Sequence, residues 1–257
     1  MFKIRICNSL VGVLIIMILS GCGEDITKPP CILEEIVLDE FNSLKFRTIS
    51  GGVVYQVVQE FTLGDEIDTL AYFQYVYFLD SLVVLNQLDP GQRPYMSVSF
   101  ENDRPTRVLR YFTSTGVLLD FDFEYGESSL RVDLTRIASN GDELLATYAN
   151  YYFDENDNVE RIEQFGIDQE DRSNFVLIND QRFTYDNQVS PLQGLYLPFF
   201  ANPNVPSVEF FSGNNIISVE DEVGVVEIDY DFNSDNMVSR QINPDGTQIG
   251  YEYLNCD

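Results

Sequence analysis

The side chains that could carry chemistry in this chain are carboxylates, amides and thiols, because the sequence contains no histidine. That absence excludes Ser-His-Asp and Cys-His catalysis, zinc sites with imidazole ligands and imidazole general bases. No glycine-rich loop of the phosphate-binding kind is present either. A hydrolase with two carboxylates needs only a pair of acids, but no pair stands out among the 42 acidic residues. We therefore expect no enzyme activity and no cofactor other than calcium.

Two turns carry carboxylate or amide oxygens at alternate positions: Asp154, Asn156 and Asn158 in the first, and Asp231, Asn233 and Asp235 in the second. Oxygens with this spacing can converge on one calcium ion. The glutamate that completes an EF-hand loop is missing, since Phe165 and Ile242 occupy that position. Asn and Asp are also common in ordinary turns, where they bond their own backbone. Turn formation is the simpler interpretation, and calcium binding is the alternative.

The elements that must position these side chains are β-strands. Short segments in which aromatic or apolar residues alternate with other residues recur at 75–78, 98–101, 121–124, 151–154, 183–186, 228–231 and 251–254. Such alternation, bounded by turn residues, predicts hairpins. Residues 53–61 should form one strand with Val53, Tyr55 and Val57 on one face. We expect an all-β fold, an antiparallel meander of hairpins curled into a barrel-like sheet, with a two-layer β-sandwich as the alternative.

The last hairpins resemble the YD repeat of RHS-type proteins. The matching positions are Tyr230-Asp231, Val238, the Asp245-Gly246 turn and Tyr251-x-Tyr253, whereas Asp235-Asn236 replaces the usual glycine of the first turn. The mature chain also resembles small Bacteroidota outer-membrane lipoproteins of unknown function with degenerate YD-like hairpins, through residues 185–188 and 191–200. This resemblance implies a β-meander and no agreed activity.

The first 21 residues have the features of an export signal. Lys3 and Arg5 precede an apolar run at 10–19 that is too short to span a bilayer. The sequence Leu19-Ser20-Gly21-Cys22 resembles a bacterial lipobox, which implies cleavage before Cys22 and lipid attachment to its thiol. An ordinary cleaved signal with a spare cysteine is the alternative. Residues 22–30 would then form a tether, and residues 31–257 one domain.

The lipoprotein resemblance implies an anchor in the outer membrane. Glu24 and Asp25 resemble the acidic signal that sends such lipoproteins to the cell surface, although they would equally suit a solvated linker. The domain could therefore face outward or face the periplasm.

Two cysteines remain for the mature domain, Cys31 near its start and Cys256 near its end. An even pair in an exported protein suggests a disulfide, with two unpaired thiols as the alternative. Without Lys3 and Arg5, 13 basic residues remain against 42 acidic ones, a net charge of −29. Such a charge repels nucleic acid and anionic membrane surfaces. We expect a monomer whose partners are cations, neutral glycans or basic protein surfaces.

One irregular insertion interrupts the strands at residues 191–213. Its prolines do not suit a central strand, and it carries five candidate contact residues, Tyr196, Phe199, Phe200, Phe210 and Phe211. It is either a plug that completes the core or a binding loop, since long irregular loops often carry function. Three hypotheses follow for the whole chain: a lipid-anchored binding module for a protein or glycan, a structural or accessory lipoprotein, and, least favoured, a hydrolase with two carboxylates.

Overall fold

The computed structural model describes residues 31–49, 53–64, 66–91, 94–112, 115–168, 170–171, 174–192, 195 and 206–256. Within them the chain forms 17 strands and a short 3-10 helix at Val208–Phe210. The strands are β1 Ile32–Val37, β2 Asn42–Thr48, β3 Val54–Leu63, β4 Glu66–Tyr77, β5 Ser81–Asn86, β6 Pro94–Glu101, β7 Arg104–Phe112, β8 Val117–Tyr125, β9 Ser129–Ile137, β10 Glu143–Phe153, β11 Val159–Ile167, β12 Phe175–Val189, β13 Asn214–Glu220, β14 Val225–Glu227, β15 Asp229–Phe232, β16 Val238–Ile242 and β17 Gln248–Leu254. No helix among these residues is long and apolar enough to span a bilayer.

The strands form a single antiparallel meander that returns to its own start. Successive strands pair from β1 to β14, and again from β15 to β17. β14 and β15 are two halves of one stretch, separated only by Ile228, and they pair with β13 and β16 respectively. The ring closes where β1 pairs with β17 as well as β2. The fold is therefore a nearly closed, barrel-like sheet, as the hairpin pattern predicts.

The recurring aromatic segments supply the inner face of this sheet. They lie on every second strand when β14 and β15 are counted as one. The first residue of each points inward, and all except the partly buried Ile228 are at most 7% exposed: Tyr75, Val98, Phe121, Tyr151, Phe183 and Tyr251. Since side chains alternate between the faces of a strand, the residues between them point outward. The strands between them supply the remaining inward side chains, such as Leu44, Leu82 and Val132.

The interior is divided into two apolar clusters. The first gathers buried side chains from β1–β6, β16 and β17, and the second gathers them from β8–β13. Val108 of β7 contacts both clusters on one side of the ring. On the other side Ile228 contacts the second cluster, and Tyr230 contacts the first. The interior of the ring therefore has two lobes that meet at β7 and at the β14–β15 stretch.

Antiparallel pairing places the connections alternately at two ends of the sheet. The end that holds the 190–213 connection, here called the insertion end, also holds the turns at 102–103, 126–128, 154–158 and 233–237 and both termini of the domain. The opposite end, here called the far end, holds the turns at 138–142, 168–174, 221–224 and 243–247. Cys31, the first described residue, therefore lies at the insertion end.

A disulfide lies beside the strands that close the ring. Cys31 and Cys256 are bonded, with their Cα atoms 5.3 Å apart and a sequence separation of 225. The β1–β17 ladder starts next to the disulfide, where Ile32 pairs with Leu254. The covalent bond and the ladder thus hold the same two chain ends together, as the cysteine count predicts.

Replacing both cysteines with serine should lower the free energy of unfolding by about 3 kcal/mol, because the unfolded chain loses a very long covalent loop. Urea unfolding of residues 23–257 and of the C31S/C256S variant measures the difference. A reduced wild-type sample should match the variant. Equal midpoints for oxidised wild type and variant would show that the ladder alone secures the ends.

Candidate functional site

The described ends of the insertion lie inside the ring. Tyr151 of β10 is fully buried, and its hydroxyl donates a hydrogen bond to the carbonyl oxygen of Pro206 at 2.7 Å. Burial raises the pKa of the Tyr151 hydroxyl, so it remains a donor. On the other side of the insertion, Leu192 and Leu195 pack against the first apolar cluster. The insertion therefore reaches both lobes.

Phe211 is the predicted contact residue whose surroundings the structure describes most fully. Its ring lies 5.1 Å from that of Tyr151, edge to face, and 6.1 Å from that of Phe123. These distances and angles suit aromatic packing within a core. Tyr196, Phe199 and Phe200 lie outside the described residues, as does Cys22, and only the backbone of Phe210 is described. For its described part, the insertion behaves as a plug.

Asn158 fastens the plug to the turn between β10 and β11. It is only 1% exposed, and its side-chain oxygen accepts hydrogen bonds from the backbone nitrogens of Gly213 at 3.0 Å and Asn214 at 3.1 Å. Its amide nitrogen donates to the side-chain oxygen of Asn214 at 3.0 Å. Ser212, equally buried, accepts from the backbone nitrogen of Val159 at 3.2 Å. Buried polar groups need such partners, so this network locks the C-terminal end of the insertion.

The same contacts account for the first of the two calcium candidates. One oxygen of Asp154 accepts from the backbone nitrogens of Asn156 at 2.8 Å and Asn158 at 2.9 Å. Asp157, the fourth residue of the turn, has a left-handed backbone with φ 61°. Because the Asn158 oxygen faces the insertion, the three predicted ligands do not converge on one point.

The second candidate forms the same turn. The side-chain oxygen of Asn233 accepts from the backbone nitrogens of Asp235 at 3.1 Å and Met237 at 2.9 Å, and Asn236 is left-handed with φ 63°. Asp231 instead pairs with Arg240 on the neighbouring strand. Among the described residues, one group of potential metal ligands does approach closely, Cys31, Cys256 and Asp235, but its cysteines form the disulfide. The contacts favour the turn interpretation of both sequences.

A pocket of about 330 Å³ opens at the insertion end, here called the insertion-end pocket. Three partly buried aromatic residues line it, Tyr125, Phe153 and Phe211. Its remaining lining comes from hairpin turns and includes four acidic residues, Asp103, Glu127, Asp154 and Asp157. Arg104 is also in the lining, with its guanidinium 5.3 Å from the centre of the Tyr125 ring. The pocket thus combines an aromatic surface with an excess of negative charge.

The sequence patterns single out the aromatic residues of this pocket separately and do not show that they form one pocket. Tyr125 and Phe153 stand at the ends of two recurring aromatic segments, and Phe211 belongs to the insertion. Nothing in the local pattern shows that these three residues meet, because the hairpin turns that join them are far apart in sequence. Aromatic residues immediately before acidic turns are the signal that could have found them.

Two carboxyl groups have raised pKa values, but they do not face each other. Burial raises the pKa of Glu209, which lies in the interior beside Tyr230 and Tyr251 at a cavity of about 40 Å³. Burial, and then the charge of Asp120, raises the pKa of Asp122. Asp122 lies on the outer face of β8, between the inward residues Phe121 and Phe123. A glycosidase needs its two carboxyls across one substrate, and this arrangement does not provide that.

The outer face of the sheet carries the ion pairs. Lys45 bonds Glu60 at 2.9 Å between β2 and β3, and Arg161 bonds Asp180 at 2.7 Å between β11 and β12. The hydrogen bonds from Arg161 hold the pKa of Asp180 below its usual range. Arg131 lies 3.9 Å from the centre of the Tyr148 ring on the same face. Ion pairs therefore lie on the outside of the ring, and apolar residues fill the inside.

Shortening Phe211 to alanine should lower the free energy of unfolding by about 3 kcal/mol, because it leaves a hole between Tyr151 and Phe123. Urea unfolding of F211A measures the effect. The matched control is Leu79→Ala, since Leu79 is fully exposed and its truncation should change stability by less than about 0.5 kcal/mol. An F211A protein as stable as the control would contradict the plug interpretation.

Comparisons with known proteins identify relatives of the fold. No protein-family model matches the chain, and no curated protein matches its sequence. A porin-like protein from Bacteroides vulgatus superposes with a TM-score of 0.59 at 10% identity, covering 88% of this chain and 99% of its own. A porin-like protein from Bacteroides uniformis gives 0.54 at 12% identity, covering 86% and 96%. At these identities the similarity extends to the fold alone, which this chain shares over most of its length with all-β Bacteroides proteins.

Proposed function

We propose that this chain is the binding domain of a lipid-anchored cell-envelope protein, and that it holds a neutral or cationic ligand of sugar size in the insertion-end pocket. The observation that carries the proposal is the pocket itself, in which Tyr125, Phe153 and Phe211 meet four acidic residues. Its volume of about 330 Å³ falls at the lower end of ligand pockets, which span roughly 300–1,000 Å³. The two carboxyl groups with raised pKa values, Glu209 and Asp122, do not face each other, and this arrangement suits binding of a ligand without hydrolysis.

The chemistry of the lining selects the ligand class. Aromatic faces attract the apolar faces of sugar rings and also attract cations. The acids add a negative potential that favours a positive charge and disfavours phosphates, sulfates and nucleic acid. Ligands with a neutral ring or an amino group therefore suit the pocket better than acidic ones. The net charge of −29 for the mature chain acts in the same direction and opposes self-association.

The proposed anchor agrees with the geometry of the domain. Cys31, the first described residue, lies at the insertion end, and residues 22–30 would connect it to a lipid on Cys22. Nine extended residues span at most about 30 Å, so the insertion-end pocket would stay near the membrane. The two structural relatives are described as porin-like, which supports an outer-membrane location for this protein.

A conducting pore is the other candidate function, suggested by the description of those relatives, but the side chains oppose it. A lysine or arginine on the lipid-facing surface of a membrane barrel costs up to about 2–4 kcal/mol. Here Lys45 and Arg161 stand on the outer face in ion pairs, and their side chains are 45% and 33% exposed. The inner face is apolar and closed by the plug rather than polar. Both observations favour a tethered binding domain over a pore.

Replacing Cys22 with serine should move the protein from the membrane pellet to the soluble fraction, because the proposed lipid is attached there. Fractionation of cells expressing C22S and wild type, with mass spectrometry of the mature N-terminus, measures this. Cys7→Ser is the matched control and should stay membrane-bound. A C22S protein that remains in the pellet as fully as wild type would disprove the anchor.

A panel of neutral sugars, amino sugars, polyamines and acidic sugars, tested by thermal shift, should give stabilisation by neutral or cationic members only. The D103N/E127Q variant should weaken cationic binding about tenfold, because it removes two charges from the lining without changing its shape. Asparagine suits position 103, where φ is 63°. Glu101→Gln, outside the lining, is the matched control. Stabilisation by acidic sugars, or equal binding by variant and control, would contradict the proposal.

A further inference from the structure

One strand of the ring extends beyond its neighbour at the far end. β12 pairs with β11 from Phe175 onward, because Ile167 pairs with Phe175 and Arg161 with Arg182. Its pairing with β13 starts only at Arg182, opposite Glu220. Among the described residues, nothing pairs with the second edge of residues 175–181, here called the β12 overhang. Backbone groups on that edge are therefore available to a further strand.

The turn after β13 keeps this edge open. The backbone nitrogen of Asp221 donates to the carbonyl oxygen of Gly224 at 3.0 Å. The Asp221 carboxylate accepts from the backbone nitrogens of Val223 at 2.8 Å and Gly224 at 3.2 Å. These bonds turn the chain back into β14 before it can cover the overhang. The space beside the β12 overhang, beyond the end of β13, is thus bordered by a hydrogen-bonded turn.

The overhang presents consecutive apolar side chains to solvent. Val176, Leu177 and Ile178 are 41%, 50% and 55% exposed. Natural edge strands are usually protected by charged residues, proline or a covering segment. The comparable overhang of β4, residues 66–71, follows that rule, since Glu66 and Asp68 interrupt its apolar residues. The β12 overhang has no charge before Asp180.

A ladder of side chains stiffens the sheet behind the overhang. The Tyr148 ring stacks on Phe165 of β11 at 4.6 Å and 12°, and lies 5.2 Å from Phe175 at the start of β12. Arg131 covers its other face. Such cross-strand pairs hold neighbouring strands in register. The ladder shifts register once, where Ile178 is an extra residue between Leu177 and Asn179. Pairing with β11 orders the edge, which reduces the entropy cost of binding an extended segment.

A strongly negative cavity adjoins the open edge. It measures about 440 Å³, and its lining includes Leu177, Ile178, the single cation Arg182 and four acids, Asp180, Glu220, Asp221 and Glu222. Asp180 already accepts two hydrogen bonds from Arg161, at 2.8 and 2.7 Å. Glu220 ends β13 opposite Arg182, and Asp221 and Glu222 follow it in the turn beside the open edge. A segment lying along the overhang would thus meet carboxylates with its side chains.

We propose that the β12 overhang binds an extended, basic and apolar segment of a partner protein as an added antiparallel or parallel strand. Backbone hydrogen bonds to the open edge would supply affinity, and alternate side chains would supply specificity, as in other strand-addition complexes. Apolar side chains of the segment would cover Leu177 and Ile178, and its lysine or arginine side chains would face Glu220 and Glu222. This inference goes beyond the ligand proposal above, since it concerns the far end of the domain, away from the tether.

The charge distribution distinguishes this partner from a second copy of the chain. Two copies joined edge to edge would bring both acidic turns together, and each mature chain carries a net charge of −29. Like charges placed across an interface oppose association. A basic segment instead neutralises the acids that surround the edge.

The test uses residues 23–257, which contain every strand, and three capped, fluorescently labelled peptides. The first alternates lysine and valine over the length of the overhang. The second replaces its central valine with proline, which removes a backbone donor and breaks the extended pairing. The third replaces every lysine with glutamate. Fluorescence anisotropy measures binding, and hydrogen exchange measures protection of the backbone amides at 175–181.

The lysine peptide should bind in a salt-dependent manner and slow amide exchange at 175–181, whereas the other two should bind at least about tenfold more weakly. Leu177→Lys should reduce its affinity about tenfold, because it places a like charge on the edge. Leu79→Lys, the same change at a fully exposed turn residue, should have no effect. The E220Q/E222Q variant should also weaken binding while keeping the shape of the edge, which covers the case of a misfolded L177K. The D103N/E127Q variant should bind the peptide normally, so failure of the pocket proposal would be separately visible.

Several results would overturn the inference. Equal binding of the lysine and proline peptides would show simple charge attraction. Protection, in the free monomer, of those amides at 175–181 that point away from β11 would show that the chain covers its own edge. The amides at 175–181 could instead be protected only in a dimer that the L177K variant does not form. That result would show that a second copy of the chain occupies the edge. Failure of the lysine peptide to bind would show that the edge does not accept a basic segment.

Discussion

Closure of the sheet is the constraint on which the rest of this structure depends. A meander of hairpins leaves its first and last strands unpaired, and such edges expose backbone donors and acceptors. Here β1 lies between β2 and β17, so the first and last strands satisfy each other's backbone donors and acceptors. The Cys31–Cys256 disulfide holds the two ends at the same place. Closure also fixes both termini at the insertion end, and so decides where any tether must leave the domain.

A ring of this many strands raises a second problem, which is how to fill it. About eight strands enclose a space that their own side chains can occupy, and larger barrels enclose a cavity or channel. Here the interior is divided into two lobes, each with its own apolar cluster, and the described ends of the insertion contact both clusters. The insertion carries backbone polar groups into the interior, and these need partners. Asn158, Ser212 and Tyr151 supply them, so the polar network and the two-lobed core depend on each other.

Local pattern predicts much of this architecture, since hairpins depend on nearby residues. Alternating aromatic segments identify the inward positions, and Asx turns such as those at Asp154 and Asn233 are short-range hydrogen-bonded structures. The pattern fails where one residue is added to a strand. Val53 is 41% exposed and Val54 is buried, contrary to the predicted face, because the ladder shifts register between Arg47 and Thr48. Such a bulge reverses the faces beyond it, and the sequence of one strand alone does not show it.

Long-range partners set the other limit. Asn158 has the spacing of a calcium ligand, yet its oxygen accepts from Gly213 and Asn214, which lie 55 and 56 residues further along the chain. No local pattern contains that information. The same holds for the insertion-end pocket, whose aromatic residues come from β8, β10 and the insertion. The composition of this pocket therefore depends on which turns closure brings together.

The β12 overhang is best understood as an exception to closure. The buried apolar side chains of the sheet point inward, and the outer face carries ion pairs such as Lys45–Glu60. Residues 176–178 differ from both, since they are apolar, exposed and paired on one side only. An accidental fraying of the strand would not come with a bonded turn at Asp221 and an aromatic ladder behind it. Because Cys31 lies at the insertion end, this edge also lies at the end of the domain that faces away from the proposed anchor, where a partner could reach it.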